Sequence, residues 1–194
     1  MSKIMIFASG GGGNFRAVCE HFKNSEHEII GLAVDRDCGA KQIASTYDIN
    51  VFELRATKSQ GLNIEDLKLL PKCNLVALCG FNRIIPAEFL KTLECTPVIN
   101  THPSLLPAYG GKGMIGENVQ KQVIANKEKY AGCTIHFVDG GIDTGKHIIQ
   151  CKVLVKKNES AWDLGGRIHQ LETKLLPIAI ELVLQLCGEL IVNF

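Results

Sequence analysis

The feature that most restricts the fold is an alternation, over the first half of the chain, of short apolar runs with stretches of helical period. The runs at residues 4–8, 29–34, 75–78 and 98–100 are rich in Val, Ile and Leu and show no in-out alternation, as expected of strands buried on both faces. Between them Phe15, Val18, Cys19 and Phe22 repeat at helical spacing. Residues 42–47, 64–70 and 87–93, the last behind Pro86 as a helix-start proline, also read as helices. Strands alternating with helices predict right-handed crossovers and a parallel sheet.

The pattern changes after residue 130. Residues 133–138 and 147–155 read as two strands joined by a Gly-rich turn, an antiparallel extension of the sheet. Ser160 stands three residues before Asp163, in the manner of a capping box. Leu164, Ile168, Leu171, Leu175, Ile178 and Leu182 mark one face of a long final helix, which Pro177 should kink or interrupt. No linker, repeat or low-complexity tract divides the chain, so the expectation is a single α/β domain over residues 1–194. Its sheet should be mostly parallel, doubly wound and Rossmann-like, with an antiparallel C-terminal extension.

A domain of 194 residues can bury about 70% of its unfolded surface, enough for one core without staples. Lys plus Arg total 21 against 20 acids. That balance offers no broad field for nucleic acid or an anionic membrane, so an anionic small molecule must be held locally. The eight cysteines show no C-x-x-C spacing of the kind zinc and redox sites use. The apolar run after Met1 is broken at once by glycines, too short for a signal peptide or a membrane span. A reducing cytoplasm is the expected compartment.

Ser9-Gly10-Gly11-Gly12-Gly13-Asn14 follows the first strand and opens the first helix. Unpaired N–H groups and the helix dipole favour an anion there, and glycines let the backbone approach it closely. No Walker Lys-Ser ends the loop. Phe15 occupies the third glycine position of a dinucleotide fingerprint, with Asp35 the nearest acid after the second strand, so a phosphate monoester fits better than a dinucleotide.

Asn100 and His102 lie two apart at the carboxyl end of a buried strand, which puts both side chains on one side, at the end where parallel sheets bind ligands. Pro103 and Pro107 deny the following segment a helix and favour a rigid loop.

The run Asn100-Thr101-His102-Pro103-Ser104-Leu105-Leu106-Pro107, followed by His136-Phe137-Val138 through Asp143, resembles the folate-dependent formyltransferase superfamily. Within it the chain is most similar to the branch that formylates phosphoribosylglycinamide. The opening Ser-Gly-x-Gly-x-Asn loop, Gly80-Phe81-Asn82-Arg83-Ile84 and residues 167–172 extend the likeness over nearly the whole chain.

The resemblance implies transfer of the formyl group of 10-formyltetrahydrofolate to the glycinamide amine, without a metal, by a monomer or homodimer. Asn100 and a protonated His102 would stabilise the oxygen that turns negative, and losing one such donor typically costs about 100-fold to 1,000-fold in rate. A carboxylate at Asp143 favours the charged imidazole and would help move protons, directly or through water. Gly12, Gly13 and Asn14 are implied to hold the substrate phosphate, and His169 and Glu172 its ribose or glycinamide end. The folate would lie against Asn82, Arg83, Ile84 and Ile85, near Asn100, and along the Asp139-Gly140-Gly141-Ile142-Asp143 turn. Phe81 reads as core.

Three departures from the common pattern stand out. The usual Tyr-Pro-Gly-x-His stretch is here Tyr109-Gly110-Gly111-Lys112-Gly113-Met114, in which Lys112 could approach an anion. Between Leu54 and Cys73 the candidate basic residues are Arg55 and Lys58. His169 stands where a glutamine is common.

Overall fold

The computed structural model describes residues 1–57, 61–93 and 96–192. In chain order the elements are β1 (Lys3–Ala8), α1 (Gly13–Phe22), β2 (Glu28–Val34), α2 (Ala40–Thr46), β3 (Val51–Glu53), β4 (Ala56–Thr57), β5 (Gly61–Leu62) and α3 (Ile64–Lys68). There follow β6 (Leu75–Leu78), α4 (Ala87–Thr92), β7 (Val98–His102), α5 (Glu117–Ala125), β8 (Tyr130–Phe137), β9 (His147–Leu154) and α6 (Ala161–Val192).

Seven strands form one sheet in the order β3-β2-β1-β6-β7-β8-β9, while β4 and β5 make a small separate hairpin. β3, β2, β1, β6 and β7 pair in parallel, and β7 with β8 and β8 with β9 are antiparallel. The expected mostly parallel sheet with an antiparallel C-terminal extension is therefore what the chain forms. Strand order reverses between β1 and β6, and a crevice opens at their carboxyl ends, where open α/β sheets bind ligands.

Successive residues of the apolar runs enter different cores. Ile4, Ile6 and Ala8 of β1 join Leu32, Val34, Leu75 and Ala77 in a layer under α1, α2 and α6. Met5 and Phe7 join Ala33, Val76 and Leu78 in the layer under α3 and α4. An unalternating sequence is thus the signature of a strand with helices on both faces. Phe7, at 0% exposure, gains about 1.5–3 kcal/mol from that burial, and Phe81 meets its ring edge-on at 5.3 Å between centroids.

The last helix is not interrupted at Pro177, and its buried face departs from expectation. Its buried stripe is Leu164, Ile168, Glu172, Leu176, Ala179, Ile180, Val183 and Leu184. Ile178 and Leu182, expected on that face, are 43% and 41% exposed. The apolar pattern misled because the stripe has a polar member: Glu172 is only 7% exposed. Ser160 caps the helix as expected, accepting from the Asp163 N–H at 3.1 Å and donating to its carboxylate at 2.6 Å.

Asp35, at the end of β2, has a side chain that is 0% exposed and paired with Arg36 at 2.9 Å and Arg83 at 2.7 Å. It is a structural anchor, not a ribose ligand. Burial pushes its carboxyl up, but hydrogen bonds from Arg36, Ser9 and Arg83 outweigh it and hold the group down at about 2. A depressed carboxylate stabilises the fold above its unfolded value, and that contribution disappears as the pH falls from about 4 towards about 2. Acid titration followed by circular dichroism should show Asp35→Asn less stable than wild type at neutral pH, with the gap closing across that window. A gap independent of pH would reject the ion-pair account.

Candidate active site

One cavity of about 600 Å³ opens at the switch point, lined by residues 10–14, 78–85, 100–103, 111–116 and 138–143 together with His136, His169 and Glu172. All the residues named above as catalytic, substrate or folate candidates face this single space. Residues far apart in sequence meet there because each sits at the carboxyl end of a strand or on the inner face of α6.

The glycine loop forms one wall. Gly12 has φ +80°, a left-handed conformation that favours glycine, and an added β-carbon would come within 2.7 Å of Ile43 Cδ1 and 2.9 Å of Ala40 Cα. α1 begins at Gly13 with no capping side chain and no acid in its first turn, so its N–H groups stay available to an external anion. Asn14 is buried, and its Oδ1 has no hydrogen-bond partner although it lies at the cavity. An orphaned buried acceptor is costly unless a ligand donor completes it.

At the opposite side of β7, Asn100 and His102 present their side chains to the cavity as expected. The antiparallel register sets Asn100 across from His136 of β8, and the Asn100 amide nitrogen lies 3.3 Å from His136 Nε2. His136 Nδ1 donates to the Phe137 carbonyl at 2.8 Å, so Nε2 is left as the acceptor for that amide. Burial pushes the His136 pKa down, against weaker support from Phe137 and Asp143. A neutral His136 thus fixes which end of Asn100 is the donor, and the second amide hydrogen remains for a ligand.

His102 is 5% exposed. Its Nε2 donates to the Tyr109 carbonyl at 2.8 Å, and its Nδ1 faces Asp143 Oδ2 at 3.4 Å. Because the Tyr109 bond occupies Nε2 as a donor, Nδ1 is the nitrogen left to face the Asp143 carboxylate. Asp143, held at φ +57°, also lies 3.7 Å from His136 through Oδ1 and accepts from the Gly111 N–H at 2.9 Å.

The loop at 109–111 therefore supplies two backbone groups, the Tyr109 carbonyl and the Gly111 amide, that hold the His-Asp pair from outside. A β-carbon at Gly110 would come within 2.6 Å of Leu106 Cδ2 and 3.3 Å of Asp143 Cβ, so glycine lets the loop pass this close. Tyr109 itself is tied down by Glu128 at 2.7 Å and Asn126 at 3.0 Å. Sequence reasoning gave no role to His136 or Tyr109. The cross-strand position of His136 opposite Asn100 was the signal available for the first; a backbone carbonyl leaves none for the second.

The remaining candidates divide. Ile84 is 67% exposed and Ile142 38% exposed at the cavity, apolar surface suited to a flat ring. Ile85, at 7% exposure, belongs mostly to the core. Arg83 lines the cavity while its Nε donates to Asp35 at 2.7 Å. Asp139 is held below the usual carboxylate range, chiefly by the Thr144 hydroxyl and the Gly141 N–H, at 2.6 and 2.9 Å. It shapes the 139–143 turn. Arg55 spends its charge on Asp66 at 2.5 Å, away from the cavity, and Lys58 lies outside the described residues. Lys112 lines the cavity and is exposed, with no ion-pair partner among the described residues.

Deep in the cavity Thr101 Oγ1 donates to Glu172 at 2.7 Å, and Glu172 meets His169 Nδ1 at 3.5 Å.

The family model described as formyl transferase matches residues 2–180. A phosphoribosylglycinamide formyltransferase of Bacillus subtilis is 33% identical, with 96% of each chain covered. Chloroplastic proteins of that name from Vigna unguiculata and Arabidopsis thaliana are 37% and 34% identical over 98% and 96% of this chain, which spans 62% and 66% of their lengths. Among solved structures, a phosphoribosylglycinamide formyltransferase from Anaplasma phagocytophilum superposes with a TM-score of 0.85 at 30% identity, covering 94% of this chain and 86% of that one. A glycinamide ribonucleotide transformylase from Geobacillus kaustophilus gives 0.83 at 30% identity, covering 94% and 98%. With a family match over most of its length and a site built from that family's motifs, this chain belongs to the formyl transferase family.

Proposed function

We propose that the protein transfers the formyl group of 10-formyltetrahydrofolate to the amine of 5-phosphoribosylglycinamide, a step of de novo purine biosynthesis. The observation that carries this reading is one cavity lined both by an uncapped glycine loop and by the Asn100, His102, Asp143 and His136 cluster. An anion-binding wall and a proton-transfer centre in one space suit a phosphate-bearing amine as acceptor.

The residues present fit the folate: exposed Ile84 and Ile142 offer apolar faces, and backbone groups of the 80–85 and 139–143 segments offer donors and acceptors. Bound there, 10-formyltetrahydrofolate supplies an activated formyl carbon. Asn100 donates its free amide hydrogen to the oxygen that gains charge, and a charged His102 adds positive potential beside it. Asp143 links His102 and His136 and takes the proton released by the attacking amine, directly or through water. As the new bond to the amine forms and the bond between the formyl carbon and the folate nitrogen breaks, His102 Nδ1 would return a proton to that departing nitrogen without giving up its bond to Tyr109. Phosphate anchoring at Gly12 and Gly13 holds the amine in reach, converting binding energy into orientation. We place the protein in the reducing cytoplasm, in keeping with free thiols at Cys19, Cys38, Cys73, Cys79, Cys133 and Cys151.

The test is direct. Purified protein should formylate phosphoribosylglycinamide with 10-formyltetrahydrofolate as donor. A folded protein that releases formate only, whatever amine is supplied, would instead be a hydrolase, and one that does neither would overturn the reading.

A further inference from the structure

The ring of His169 sits where charge would matter. Its Nδ1 is held by Glu172 at 3.5 Å, and Glu172 is fixed in turn by Thr101 at 2.7 Å. Its Nε2 lies directly over Gly13, so closely that a β-carbon there would collide with it. Among the described residues Nε2 has no hydrogen-bond partner in the protein. The nitrogen therefore faces the same loop where α1 exposes its uncapped N–H groups and where the buried Asn14 Oδ1 is unsatisfied.

We infer that His169, as an imidazolium donating through Nε2, is a protonation-dependent ligand for the phosphate monoester of the substrate, adding a switchable cation to the backbone amides of the glycine loop. This rests on the reading that the loop binds a phosphate. A glutamine at this position could donate one neutral hydrogen bond; histidine donates a charge-assisted one, about twice as strong, and only while protonated.

The surroundings favour the charged ring. Glu172, on its own helix, hydrogen-bonds to His169 and pushes its pKa up, against a smaller effect of partial burial. α1 faces the ring with the backbone of Gly13, and β7 reaches it only through the Thr101 hydroxyl on Glu172. Behind Glu172 lie the thiols of Cys79 and Cys133, with Cys19 beyond, all pushed up by burial and so uncharged at neutral pH. A raised histidine contributes its charge at low pH and loses it as the pH climbs through its folded value, above the ordinary 6.5 or so.

The probe is ribose 5-phosphate, whose binding to the full chain can be measured by calorimetry without turnover. Between pH 7 and 9 its phosphate is dianionic throughout, since the second ionisation lies near about 6, so a change in affinity over that range does not come from the ligand. Wild type should lose about tenfold in affinity from pH 7 to 9, the size of one charge-assisted hydrogen bond. His169→Gln should bind with an affinity nearly constant across the range. Equal slopes for the two proteins, with both binding, would overturn the role of His169 while leaving the phosphate loop intact. No binding of ribose 5-phosphate by folded wild type at pH 7 would overturn the phosphate-loop reading itself, and this inference with it.

Discussion

Asp143→Asn is expected to lower kcat for formyl transfer about 1,000-fold while the KM for the phosphate-bearing amine moves by less than about threefold. General acid-base catalysis contributes roughly 100-fold to 10,000-fold, and among the described residues Asp143 is the one carboxylate paired with both His102 and His136. An asparagine fills the same space and can still accept from the Gly111 N–H, so the loop and the cavity should persist. What it cannot do is accept a proton or hold a charged His102. A loss confined to kcat places the carboxylate's work in the transition state, because ground-state binding is made elsewhere in the cavity. His102→Ala should give a loss of similar size. The double variant should be little worse than either single one if the two act as a unit, whereas multiplicative losses would show two independent roles.

Much of this site was legible because its chemistry coincides with strand ends. Asn100 and His102 stand at the carboxyl end of β7, and the glycine loop at that of β1; both positions follow from apolar runs that the sequence displays openly. Asp143 lies on a turn with no periodicity, so only the family motif pointed to it. The elements that escaped are those whose hydrophobic signal is weak: α5, whose buried residues Val119, Gln120 and Val123 include a polar one, the three-residue strand β3 and the two-residue strands β4 and β5. Glu172 shows the same conflict from the other side. It occupies a core position of α6 and belongs to the cavity, so a reading that follows apolar residues alone steps onto Leu171 and then outward to Ile178 and Leu182. Local rules fail where function has placed a polar group in a buried stripe. Whether the Arg83 cation is free or already paired, here with Asp35 forty-eight residues away, is likewise a tertiary fact.

The phosphate wall can be separated from the fold by comparing two adjacent glycines. At Gly12 an added side chain meets Ala40 backbone and Ile43, and φ +80° is itself unfavourable for any other residue, so Gly12→Ala should cost about 1–3 kcal/mol of stability. A rise in KM for that variant would be ambiguous. Gly13 is different: its β-carbon collides with the ring of His169, whose side chain is 50% exposed and can swing away, while the helical backbone tolerates any residue. Gly13→Val should therefore unfold within a few degrees of wild type yet raise the KM for the phosphate-bearing amine about 100-fold, the scale of misplacing a bound group by about 1 Å. Its kcat at saturation should hold, because the amine-side chemistry at Asn100, His102 and Asp143 is untouched. Part of the effect must pass through the displaced imidazole and part through the blocked amides, and a double-mutant cycle with His169→Gln divides the two. If valine at position 13 adds nothing once His169 is gone, the backbone amides take no part in holding the phosphate; if it still raises KM by about tenfold or more, they do.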